Sequence, residues 1–332
     1  MLTFPGFCRT TRAQELPSTP PVAAPVKELP TAIPSPPSLK EEARPVRPPG
    51  SKAVVIRPEF LPGNTYRFVM RTELRSSSGA ADTAHIEQQA RLDAGVRLDG
   101  KNGVAIKARS ERLDVRLQSG DRIITYESLK PGDRGTLAGR HFEAALYRSV
   151  DFTLNENLQI TSAVEGGRLG PETPLPGLPQ FGPDELKQLL GTIPQGFPVR
   201  PVYPGDIWTL QGTRRVGSAG SMLFEITYTF TGSEVFEENQ CLKIEFAGEL
   251  SGEVPGAAHA EEAGADTGGS IGLQGHRLTG QLLFDPLDKM LRFSEQHLSL
   301  TLDFPGPEGR GAQSVPVEQT TTIRLLHVVA TP

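Results

Sequence analysis

Tyr203-Pro204-Gly205-Asp206-Ile207-Trp208 holds the single tryptophan of the 332-residue chain, and it has a counterpart in Leu61-Pro62-Gly63-Asn64-Thr65-Tyr66-Arg67-Phe68. Both stretches run Pro, Gly, Asn or Asp, any residue, large aromatic. Proline presets the first dihedral of a turn, glycine accepts a positive φ, and the Asx side chain closes a local hydrogen bond. Each stretch therefore reads as a turn that feeds a strand, and the chain reads as two β-rich parts opened by the same device.

Working outward from these turns, alternation is the dominant signal. Ile86, Gln88, Ala90, Leu92, Ala94, Val96 and Leu98 fall on one face, with Glu87, Gln89, Arg91, Asp93 and Arg97 on the other. A period of two held this long is an antiparallel strand with one wet face. Val104, Ile106 and Ala108 keep even numbers, whereas Leu113, Val115 and Leu117 are odd, so a bulge or break is expected between Arg109 and Arg112. Ile123 to Tyr126 and the pair 150–154 and 158–164, joined at Asn155-Glu156-Asn157, continue the pattern. After Trp208, strands are expected at 207–216, 222–231, 241–250, 271–284, 290–302 and 317–329, with a second Asx hairpin at Asp285-Pro286-Leu287-Asp288. One short connecting helix is expected from Pro183, with Asp184 and Glu185 in its first turn, Leu186, Leu189 and Leu190 on one side, and Gly191 as its stop. Thr136 to Tyr147 fits a short helix or an irregular segment.

The expected architecture is mainly β, a duplicated antiparallel meander forming a large curved sheet or half-barrel, with two stacked sheets as the other arrangement. Residues 1–50 read as a disordered Pro-rich leader holding 12 of the 30 prolines, too poor in apolar residues to offset the entropy of ordering. Residues 51–165 form the first β half, 166–200 a Pro/Gly-rich connector with the helix, and 201–332 the second β half. The loop 252–269, rich in Ala, Gly and Glu, reads as mobile.

Composition narrows the function classes. Net charge is -5 from 34 basic and 39 acidic residues, interspersed rather than blocked, which gives no nucleic-acid footprint. Cys8 and Cys241 stand far apart in a leader and a strand, so neither a structural disulfide nor a thiol metal cluster is expected. No apolar run reaches the roughly 18 to 20 residues of a spanning helix. Thr11-Arg12-Ala13 before Gln14 has the spacing of a signal-peptidase site without a full apolar core ahead of it, which points to an exported, periplasmic or envelope-associated protein; a cytoplasmic protein with a floppy tail is the alternative.

Candidate chemistry is sparse. Asp266-Thr267-Gly268 matches the aspartic-protease triplet but follows a small-residue loop and has no second copy, whereas that chemistry needs two carboxylates. The six histidines show no ligand spacing, and no nucleophile elbow or phosphate-binding glycine loop is present. No cofactor is expected. Tyr66, Phe68, Phe181, Phe197, Tyr203 and Trp208 are the candidates to line a ligand cavity; the competing reading is that Trp208 and Tyr66 plug the sheet.

Pro201-Val202-Tyr203-Pro204-Gly205-Asp206-Ile207-Trp208 resembles the Gly-Asp-x-Trp signature of a broad bacterial family of exported β-rich proteins of unknown function. Tyr126-Glu127-Ser128 resembles that family's Tyr-Asp-Ser, Phe152 to Ile160 its hairpin, and Gly280 to Asp285 its Gly-x-x-x-Phe-Asp strand. The glycine expected in each Asx hairpin is missing, at Asn157-Leu158 and at Asp288-Lys289. The resemblance implies no catalytic residues, and at the level of fold it is similar to the bent-sheet lipoprotein carriers of the envelope. The expected function is a non-enzymatic envelope protein binding an apolar ligand or lipid on a curved sheet, with an envelope protein as the other partner. A structural or assembly module and a hydrolase with an unrecognised site are the rivals.

Overall fold

The computed structural model describes residues 38–41, 52–76, 83–167, 183–198, 200–215, 221–251, 272–304 and 313–330. Strands dominate. They are β1 (Ser38–Glu41), β2 (Asn64–Ser76), β3 (Thr83–Gly95), β4 (Val104–Ser119), β5 (Arg122–Glu127), β6 (Arg148–Leu154) and β7 (Ile160–Gly167), then β8 (Ile207–Arg215), β9 (Ser221–Phe236), β10 (Asn239–Ser251), β11 (Gly272–Asp285), β12 (Met290–Phe304) and β13 (Gln313–Ala330). All belong to one antiparallel sheet in the order β1-β8-β9-β10-β11-β12-β13-β2-β3-β4-β6-β7, with β5 paired to the far half of β4. The sheet is single and open, not two stacked sheets. It consists of two meanders joined edge to edge where β13 pairs with β2.

The phase change in β4 is a bulge. Gln89 faces Arg112 and Ala90 faces Ser110, so Glu111 is the extra residue, and beyond it β4 exchanges β6 for β5 as its partner. Two expectations need correcting. Val96 and Leu98 are exposed at 72% and 104% because β3 ends at Gly95 and they fall in the hairpin. The connecting helix is not alone: α1 (Pro131–Arg134), α2 (Leu137–Glu143) and a 3₁₀ turn (Ala144–Tyr147) precede it, and α3 (Pro183–Thr192) runs through Gly191 rather than stopping there. An open glycine costs a helix about 1 kcal/mol, less than the burial of Leu186, Leu189, Leu190 and Ile193, each 0–1% exposed, contributes. Within the leader, Ser38–Glu41 pairs with β8.

Connectivity shows that the sheet is rolled. From β8 to β4 is eight strand steps, about 38 Å if flat at ~4.8 Å per step. Yet α3 packs on β4 and β6, and Gly196, four residues after its end, accepts the Trp208 indole N–H of β8. A ten-residue helix plus four extended residues reaches less than about 30 Å. Rolling brings β8 and β4 within that reach. Residues 54–60 strap the same end: Val54 bridges Val202, the Glu59 amide donates to the Lys289 carbonyl, and Arg57 donates to the Glu156 carbonyl. Ile56 and Phe60 are buried in the main core with α3 and both meanders. A second core, under α2, joins Leu113, Val115, Tyr126, Phe142 and Ala145.

Hairpins tighten where glycine is missing. Leu158 and Lys289 adopt φ of 58° and 48° in the two Asx hairpins, and Glu237 and Glu238, at 48° and 69°, form the two-residue turn between β9 and β10. Left-handed backbone costs a side chain-bearing residue roughly 1–2 kcal/mol, which the flanking pairing holds in place.

Candidate functional site

The two Pro-Gly turns are alike in detail. Gly63 and Gly205 have φ of 88° and 89°. Their amides donate across the sheet to Ala94 and Phe230, and the Asn64 and Asp206 amides close back on Leu61 and Tyr203. Asp206, 2% exposed, accepts from the Tyr203 amide at 3.1 Å and from Arg200 at 3.2 Å. The aromatic four residues after each proline is then pinned. Tyr66 Oη accepts from the Leu61 amide at 2.8 Å, and Phe60 meets the ring edge-on at 5.1 Å. Burial, the largest influence, raises the Tyr66 phenol above its ordinary pKa. Trp208 Nε1 donates to the Gly196 carbonyl at 3.0 Å, and the indole stacks on Tyr228 at 5.9 Å.

The sequence candidates are thus distributed as follows. Tyr66, Phe68 and Trp208 are 1%, 0% and 4% exposed within the main core, and half-buried Phe197 packs against it, edge-on to Phe284 at 5.5 Å. Tyr203 is half-buried in its turn. Phe181 lies outside the described residues, as do the Asp266-Thr267-Gly268 triplet and the 252–269 loop. The residues brought together fill the core rather than line a space. Ser128 is likewise structural, accepting from the Leu113 amide, and Gly280 lies directly under Phe246, whose ring a Cβ would meet at 2.5 Å. Buried Asp285 caps its hairpin by accepting from the Leu287 and Asp288 amides.

A different region opens. Inner-face residues form cross-strand rungs, and three successive ones can be followed across the sheet. The first, Phe230-Ile244-Leu282-Ser294-Ile323-Met70-Gln88-Leu113, is buried at every position. The second runs Trp208-Tyr228-Phe246-Gly280-Gln296-Thr321-Thr72-Ile86-Val115-Tyr126; its flanks are buried, but Gln296, Thr72 and Ile86 are half-exposed. In the third, Leu298, Gln319, Leu74, Ala84 and Leu117 are all only partly buried. The strap and α3 seal one end, and α2 covers the β5 side. Between them the inner face of the middle strands β12, β13, β2 and β3 is only partly buried, Leu298 packing against the main core and Ile86 and Leu117 against the second, and uncharged polar groups cross it, with Gln319 donating to Thr321 at 2.9 Å. Sequence reasoning missed this because Thr72 and Gln296, at even inward positions of β2 and β12, and Gln319 and Thr321, at odd inward positions of β13, carry polarity. That misplacement within an apolar alternation is the signal that marks them.

The outer face is the opposite in character. Arg67, Arg91 and Arg109 lie directly opposite one another, an arrangement that repels. The bulge answers it by projecting Glu111 among them, 2.7 Å from Arg67, 3.9 Å from Arg91 and 3.7 Å from Arg109. A cleft of about 510 Å³ on this side gathers Glu73, His85, Glu87, Asp114 and Glu127 with Arg71 and Arg116. Its lining has no serine or cysteine, and its charges pair, as in Arg71 with Glu87 at 2.6 Å. A second cleft, about 620 Å³, lies between the β3–β4 and β6–β7 hairpins and is also polar. Among the described residues no histidine, cysteine and carboxylate group has metal-binding geometry, and no helix is long and apolar enough to cross a membrane. Cys241 is fully buried, and burial followed by Asp285 pushes its thiol up to about 11.

No protein-family model and no curated protein matches the chain. Among solved structures it is similar to a lipovitellin determined for its lipid-protein interactions, at 12% identity and a TM-score of 0.43, over 82% of this chain and 26% of the lipovitellin.

Proposed function

We propose that this protein is a non-catalytic binding module whose rolled sheet takes an apolar ligand, such as an acyl chain, on the middle of its inner face. The observation that supports it is the weaker burial in the middle of one uncharged face: Met70 and Ile323 are sealed, while Leu74, Ile86 and Leu298 on the same face are only partly buried. Apolar surface left uncovered on the hollow side of a roll is favourable to fill, at about 25 cal/mol per Å² removed from water. The leader, read as an export signal, makes the cell envelope the place we propose for it. Mass spectrometry of organic extracts of the protein purified from its own host is expected to show co-purifying lipid. Protein that arrives empty and takes up no fluorescent acyl probe overturns the reading.

A further inference from the structure

We infer that the ligand is an uncharged lipid with an ester, amide or hydroxyl group lying between apolar portions, not an ionised fatty acid. The inference rests on the apolar-ligand reading above and narrows it. None of the three inner-face rungs, from Trp208 and Leu210 on β8 to Tyr126 and Ile124 on β5, contains a Lys, Arg, His, Asp or Glu. The same strands carry Arg67, Arg71, Glu73, His85, Glu87, Arg91, Asp114 and Arg116 on the other side. Along the middle of these rungs the charged side chains of β2, β3 and β4 lie on the opposite face. A carboxylate brought onto these rungs would be stripped of water with no cation among them to meet it, which is the costliest form of burial.

What the inner face does offer is neutral hydrogen bonding at one level. Gln296, Thr321 and Thr72 are consecutive partners across β12, β13 and β2, and Gln319 stands one rung further along β13. A glutamine amide carries two donor hydrogens and an accepting carbonyl, and a threonine hydroxyl both donates and accepts. This set matches an ester carbonyl or a hydroxyl without regard to its orientation. Apolar side chains border it: Phe246 and Tyr228 beyond Gly280 on one side, Ile86 and Val115 on the other, and Leu298 and Leu74 beside Gln319. A ligand seated here has its polar group in the middle and hydrocarbon beyond it.

Oleic acid, monooleoylglycerol and octadecene, presented from cyclodextrin to the full chain, would be compared by displacement of a bound fluorescent acyl probe. Monooleoylglycerol is expected to bind at least about tenfold more tightly than oleate at pH 8, and the gap is expected to close at low pH as the acid becomes neutral. In Thr321→Val combined with Gln319→Leu, a near-isosteric pair, the advantage of monooleoylglycerol over octadecene is expected to vanish while octadecene binding persists. Leu298→Lys is expected to turn the preference toward oleate. Oleate binding at pH 8 as tightly as monooleoylglycerol overturns this inference and leaves the apolar-ligand reading standing. A probe that does not bind at all overturns that reading instead.

Discussion

Trp208 and Leu74 occupy adjacent rungs of the same inner face, and their surroundings differ in kind. Trp208 is 4% exposed, stacked on Tyr228 and hydrogen-bonded to the segment that follows α3. Leu74 is half-exposed between Gln319 and Ala84. One end of the roll is fully sealed and its middle is less completely buried, so the residues that look most like a binding site in the sequence are those that hold the fold. An aromatic beside a turn is conspicuous in composition; an uncovered leucine in a long alternation is not.

The largest expected effect tests that division directly. Trp208→Ala is expected to cost about 3–5 kcal/mol, whereas Leu74→Ala and Leu298→Ala each cost less than about 1.5 kcal/mol, because half-exposed side chains leave smaller cavities. Urea unfolding of the three variants measures both, and equal losses would erase the distinction between sealed and open regions. Next in size is Gly196→Ala. At φ 86° its Cβ would lie 2.3 Å from the Tyr228 ring, so a loss of about 2–3 kcal/mol is expected from strain and overpacking together, with the near-ultraviolet signal of Trp208 altered. Tyr66→Phe keeps the ring and removes the acceptor of the Leu61 amide, for an expected loss of about 1 kcal/mol, with faster amide exchange at Leu61.

The smallest expected effect is a pH dependence at the sealed end. Burial raises the Asp93 carboxyl, but hydrogen bonds from Thr65 and Arg91 outweigh it and leave the pKa below its ordinary 3.8. A depressed carboxylate pKa contributes stability above the unfolded value of 3.8, and that contribution disappears as pH falls through the folded value. Wild type is therefore expected to lose slightly more stability than Asp93→Asn between pH 5 and pH 2, by a few tenths of a kcal/mol to about 1 kcal/mol. Parallel urea midpoints for the two proteins across that range would remove Asp93 from the account.

Much of the fold was legible. The period of two, the parity change before Leu113, the Asx hairpins and the position of α3 all follow from local chemistry, because a strand's alternation and a turn's φ demand are written into neighbouring residues. Other features were not. Val96 and Leu98 continue the alternation of β3 but lie in the hairpin, since where a strand stops depends on whether a partner remains to pair with. Leu158, Glu237, Glu238 and Lys289 take left-handed backbone without glycine, because strand pairing on both sides overrides the local preference. The open middle was invisible for a related reason: Leu74 and Met70 have the same parity on the same strand, and only what lies over each distinguishes them.

By itself, then, the sequence determines that this chain makes long antiparallel strands with one apolar and one charged face, opened by two matching turns, because those properties depend on spacing within a few residues. Which apolar residues are sealed and which stay open was decided only by the tertiary structure. That outcome depends on the roll of the sheet and on where a strap and three short helices come to rest, through contacts such as Arg57 with Glu156 and Lys289 with Glu59, 99 and 230 positions apart. Packing over such distances is a property of the whole folded surface, and no local pattern carries it.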